Sequence, residues 1–117
     1  MRTTLLLALL FALLVSTNVR SQRSALSEAG EVAAEKFKAQ EALLEKEFER
    51  LRKTLALGKE SAPPAFDEAK ATWLKFRKQY CFAISEAFGG AYASPHDSEC
   101  QAKLAADFIK EMQERTW

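Results

Sequence analysis

The sequence predicts an all-α protein: a three-helix antiparallel bundle with a long first helix, whose second and third helices form a hairpin tied by one disulfide. Three observations lead there. Apolar residues recur in steps of three and four along three separate stretches. No segment alternates with the period of two that marks a half-buried strand. The only two cysteines, Cys81 and Cys100, fall in the second and third stretches. A length of 117 residues leaves room for one domain.

The N-terminus reads as a targeting segment. Arg2 precedes an apolar run of eleven residues, Leu5 to Val15, followed by Ser16, Thr17 and Asn18. That run is too short to cross roughly 30 Å of hydrocarbon comfortably as a helix, and a charged start before a short apolar core is the pattern of a secretory signal peptide. Val19 and Ser21 supply small residues for cleavage after Ser21, so residues 1–21 are expected to be removed and residues 22–117 to form the domain. Cleavage at Ser16 is the second choice, and an uncleaved N-terminal anchor is the alternative. Export implies a periplasmic or secreted protein with no membrane association after cleavage.

Losing Arg2 and Arg20 leaves 15 basic against 16 acidic side chains, a net charge of −1. So balanced a surface has no broad grip on phosphate backbones or anionic lipid, and nucleic acid is not an expected partner. A domain of 96 residues buries a modest core, which a covalent tie would strengthen. For a loop of about 20 residues, chain entropy puts that tie on the order of 3 kcal/mol. The alternatives are two free thiols or half of a metal site. One His and two Cys nineteen positions apart match no zinc spacing, so no metal ligand is assigned.

The first helix is expected from about Ser27 to Leu57, its apolar face formed by Leu26, Ala29, Ala33, Phe37, Leu44, Phe48, Leu51 and Leu55. Gly58 offers a left-handed stop. Pro63 and Pro64 suit the first turn of the second helix, where missing N–H groups have no partner to lose. Its inward positions read as Phe66, Ala69, Trp73, Tyr80, Ile84 and Phe88, with Gly89 and Gly90 closing it. Ala91 to Asp97 show turn chemistry and read as a loop. Ser98 with Gln101 has the form of a capping box, so the third helix is expected from about Glu99 to Glu114, with Leu104, Ala105, Phe108, Ile109 and Met112 buried.

Trp73, Arg77 and Cys81 stand four apart, on one side of the second helix. Bridging Cys81 to Cys100 would fix both ends of the intervening loop. With Leu44, Phe48, Leu51 and Leu55, with Trp73, Arg77 and Cys81, and with Gly89, Gly90 and Cys100, the chain resembles the lysozyme inhibitor LprI-like domain family of small exported bacterial helical domains. The resemblance covers residues 39–112. The chain departs from the family pattern at Glu45, Lys70, Ala91 and Phe108.

The resemblance implies a non-catalytic protein that binds another protein, lysozyme or a different cell-wall hydrolase. Lysozyme works with one protonated and one ionised carboxyl group in its cleft. An inhibitor needs only to fill that cleft with a segment already held in shape, which loses less entropy on docking. The segment 89–99 meets that demand. Gly89, Gly90, Tyr92, Ser94, His96 and Asp97 are the candidate partner-binding residues, Ser94 and His96 as donors to carboxylates and Tyr92 as apolar contact area. Plainer roles are an exposed loop position for His96 and a ring folded back over the helices for Tyr92. Trp73 reads as core, and Arg77 as the partner of a Glu on the first helix.

The alternative function is an envelope scaffold or stress-related protein that binds its partner through an exposed helix face. An enzyme is not expected. Catalysis would require a nucleophile and base, or an acid pair, held in a pocket. A lone His with no Ser or Cys nucleophile motif supplies neither, and with no Gly-rich phosphate loop there is no cofactor to expect.

Overall fold

A computed structural model describes the backbone of residues 2–90 and 93–115, and the side chains of residues 25, 27–90 and 93–115. It contains three α-helices in the order α1 (Arg2–Leu55), α2 (Ala62–Glu86) and α3 (Ala93–Glu114). No strand occurs among the described residues. α1 and α2 run antiparallel, α3 returns alongside α1, and α3 is the helix against which both others pack most extensively.

The first helix is longer than its apolar stripe. It runs unbroken for 54 residues, roughly 80 Å at 1.5 Å per residue, because neither Pro nor a helix-stopping turn intervenes before Leu55. Its inward face begins at Ala33 and continues through Phe37, Leu44, Phe48, Leu51 and Leu55, while Ala29 is exposed. The side chain of Leu26 and those of the targeting segment lie outside the described residues. The helix ends two residues earlier than expected, in tight turns from Leu57 N to Thr54 O at 3.1 Å and Gly58 N to Leu55 O at 3.0 Å. Gly58 does not take the left-handed conformation anticipated for it; only Gly89 and Gly90 do.

Pro63 and Pro64 sit in the first turn of α2, as their missing donors allow. The helix closes where Ser85 O accepts from Phe88 N at 3.0 Å and Gly89 N at 3.4 Å, and the left-handed φ of 61° at Gly89 turns the chain away. The third helix starts six residues before the expected Glu99. Ser94, Pro95, His96 and Asp97, which read as a turn, form its opening, because Pro is tolerated where the N–H has no acceptor within the helix. Ser98 is therefore inside the helix and not its cap, and Gln101 Nε2 donates to Asp97 Oδ2 at 2.9 Å.

The core lies toward the α1–α2 turn. Leu44, Phe48 and Leu51 of α1 meet Ala105, Ile109 and Met112 of α3, with Phe66, Trp73 and Phe108 packed against them. Phe48 is its centre, with ring centroids of Phe66, Trp73 and Phe108 at 6.1, 6.1 and 5.8 Å in edge-to-face arrangement. Trp73 and Phe108 stack at 4.5 Å, which completes an aromatic cluster. Beside it, Lys70 Nζ donates to Glu45 Oε1 at 2.8 Å and lies 4.7 Å from the Phe48 ring centroid.

The rotation of α2 differs from expectation. Tyr80, Ile84, Phe88 and Ala69 are exposed, and the buried positions are Arg77, Cys81 and Ser85. These follow Trp73 in steps of four, the side on which Arg77 meets Glu41 of α1 and Cys81 is bonded to Cys100.

Candidate functional site

The end of the molecule away from the aromatic core is built on the disulfide. Cys81 and Cys100 are bonded, with Cα atoms 5.5 Å apart, and Cys81 is fully buried. The bridge joins the last turns of α2 to the second turn of α3, so the connection between them is held at both ends.

One turn below the bridge, Arg77 is 4 % exposed and forms a salt bridge with Glu41 of α1. Its guanidinium carbon lies 5.1 Å from the Trp73 ring centroid and 5.8 Å from that of Phe37, within cation–π range. Its Nε is buried with no hydrogen-bond partner among the described residues. One turn above the bridge, Ser85 Oγ donates to Phe82 O at 2.9 Å, which satisfies the hydroxyl within its own helix.

The candidate partner-binding residues separate into two groups. Gly89 and Gly90 are exposed, with φ of 61° and 55°, and a Cβ at either would meet nothing within 4 Å, so only the backbone demands glycine there. Ser94 is exposed in the first turn of α3. His96 is half-buried and stacks on Phe88, centroids 3.7 Å apart and planes 18° apart. Phe88 remains 55 % exposed, so the stacked pair offers one flat apolar face at the tip. Tyr92 lies outside the described residues.

Asp97 belongs elsewhere. It lines a cleft of about 410 Å³ with Lys75, Lys78, Gln79 and Phe82 of α2, and its Oδ1 is buried without a hydrogen-bond partner among the described residues. The structure therefore brings Phe88, His96 and the glycines together at the tip and directs Asp97 to the α2–α3 side. Sequence reasoning missed the α2 wall of this cleft and the exposure of Phe88. A signal was present: Lys75, Lys78, Gln79 and Phe82 occupy positions i, i+3, i+4 and i+7, one face of a helix.

Electrostatics at the opposite end hold α1 to α3. Glu47 is 8 % exposed, accepts from Arg50 Nε at 2.7 Å and from Gln113 Nε2 at 3.3 Å, and Arg50 also reaches Met112 O at 3.1 Å. The Arg50 hydrogen bond holds the Glu47 carboxyl below its usual range, against the opposing effect of burial, with help from Gln113.

No group of three or more His, Cys, Asp or Glu among the described residues is placed to hold a metal ion. Nor is any helix among them long and apolar enough to cross a membrane. The arrangement offers contact area, with exposed aromatic rings on a covalently tied end. Compared with known proteins, residues 17–114 match the model of a family described as lysozyme inhibitor LprI. No curated protein and no solved structure matches the chain.

Proposed function

This chain belongs to the lysozyme inhibitor LprI family, and on that premise we propose that it is an exported, non-catalytic protein that inhibits lysozyme by docking its α2–α3 tip, residues 89–99, into the enzyme's cleft. The observation that carries this reading is the stacked pair of Phe88 and His96 beside two left-handed glycines, on a connection tied by Cys81 and Cys100. A segment fixed in this way loses little entropy when it binds. Phe88 supplies the apolar surface that a sugar-binding cleft accepts, and the Ser94 hydroxyl and a His96 ring N–H are donors for its carboxylates. Two further ammonium groups, Lys75 and Lys78, line the neighbouring cleft. Export places the protein in the periplasm or outside the cell, where it meets such enzymes.

The test is turbidity loss of cell-wall suspensions treated with lysozyme, with the oxidised protein added in a micromolar series. The expected result is inhibition that the double variant Phe88→Ala, His96→Ala weakens at least tenfold, on the order of 1.4 kcal/mol or more. Lys53→Ala, on an exposed turn of α1 outside the tip, should inhibit normally. Unimpaired inhibition by the tip variant would remove the tip from the mechanism. Failure of the wild-type protein to slow lysis would remove lysozyme as the target.

A further inference from the structure

The outer face of α2 is apolar, and its pattern fits itself. Ala65, Ala69, Thr72, Phe76, Tyr80 and Ala83 recur in steps of three and four, all are exposed, and none is charged. Phe76 is 53 % and Tyr80 45 % exposed, and their rings stack on each other at 5.6 Å. Beside them lies an open groove of about 630 Å³ lined by Ala65, Glu68, Ala69, Thr72, Trp73 and Phe76.

Those six residues are two successive holes of the kind that receive a side chain from a facing helix. Positions 65, 68, 69 and 72 form the first, at i, i+3, i+4 and i+7, and positions 69, 72, 73 and 76 form the second. We infer that α2 carries a self-association face, on which a second copy of this chain docks antiparallel, Tyr80 entering the first hole and Phe76 the second.

The register supports a second copy over an unrelated helix. Tyr80 and Phe76 are one turn apart, as are the two holes, so a single antiparallel alignment seats both knobs. The same alignment is symmetric, because each copy presents the holes that the other's knobs require, as a twofold interface demands. Large residues then oppose small ones at two positions, Phe76 over Thr72 and Tyr80 over Ala69, while Ala83 meets Ala65. Glu68, at the rim, comes opposite Gln79 of the other copy, so acid faces amide and not another acid.

The size of the face sets the strength. Two half-exposed rings and a shallow small-residue groove bury roughly 400–500 Å² per copy, against about 800 Å² for a standard interface, so the association belongs to the weak class.

Sedimentation equilibrium of the exported, disulfide-bonded protein lacking residues 1–21, from about 10 µM to about 1 mM, reads this directly. The expected result is a weight-average mass rising toward twice the monomer value. Ala69→Glu places a charge in the hole at an exposed helix position, and it should weaken association at least tenfold while far-UV circular dichroism is unchanged. Gln79→Lys should tighten association about two- to fivefold at low salt by facing Glu68. A monomer across the whole range, or a dimer indifferent to Ala69→Glu, would overturn the inference. A dimer that Ala69→Glu disrupts and Gln79→Lys also weakens would overturn the antiparallel register.

Discussion

Replacing Glu41 by alanine tests whether Arg77 is a tolerated buried charge or a stabilising one. The Arg77 side chain is 5 % exposed, its carboxylate partner 36 %, and its Nε already lacks an acceptor among the described residues. Removing one member of a buried pair typically costs about 3–5 kcal/mol, because the remaining charge stays desolvated. Glu41 lies near the surface, and water can enter where it is removed, so the cost should be about 2–3 kcal/mol, or roughly 10 °C or more in melting temperature for a domain of this size. Arg77→Met removes the charge and the orphan nitrogen together while keeping a long chain against Trp73 and Phe37, and it should cost no more than about 1 kcal/mol. In the double variant the loss of Glu41 should then add less than about 0.5 kcal/mol to Arg77→Met alone. Urea unfolding with constant m-value is the assay. A loss below about 1 kcal/mol for Glu41→Ala, or an Arg77→Met variant less stable than Glu41→Ala, would refute the reasoning.

Three further outcomes follow from the same geometry. Because the folded Glu47 carboxyl sits below its ordinary value of 4.5, its contribution is complete above that pH and is lost as pH falls through the lowered value. Glu47→Gln should therefore be less stable than wild type near pH 7, and the gap should narrow on acidification below about pH 4.5, as read from urea midpoints at each pH. The double substitution Cys81→Ser, Cys100→Ser should cost about 3 kcal/mol by opening a loop of about 20 residues, measured by thermal melts against the oxidised chain. Gly89→Ala and Gly90→Ala should each cost about 1–2 kcal/mol through left-handed φ alone, whereas Gly30→Ala, within α1 and with nothing near its added Cβ, should gain roughly 0.5–1 kcal/mol.

The helices were legible where hydrophobicity decided the outcome. Ala33, Leu44, Phe48 and Leu51, and likewise Ala105, Ile109 and Met112, are inward because burial is the dominant force available to them. The rotation of α2 was legible in part: the spacing of Trp73, Arg77 and Cys81 marked the inward side and a Glu of α1 and Cys100 were the expected partners, but the apolar stripe also drew Tyr80, Ile84 and Phe88 inward. The burial of Arg77 and Cys81 goes with Glu41 and Cys100, and a hydropathy pattern by itself holds no information about such partners. The start of α3 was hidden for a different reason. Ser94-Pro95-His96-Asp97 has the composition of a turn, and the first turn of a helix accepts the same composition because its N–H groups are unpaired in either case. The glycines at the tip could be read directly from the sequence. The pairing of Phe88 with His96 could not, since it depends on where α3 begins. The family match extends the resemblance from residues 39–112 to 17–114.

The polar character of Arg77, Cys81 and Ser85 divides the molecule into halves of unequal tenacity. Around Phe48 the helices adhere through stacked and edge-on rings, an attachment indifferent to thiol reagents. Near the tip, α2 contributes little apolar area, and sulfur chemistry substitutes for it. Mild reductant should therefore unfasten the bundle from the tip inward, with amides of residues 81–90 and 93–100 exchanging with deuterium well before those around Trp73. In such a medium the helices would persist at one extremity while the other lost its fixed shape.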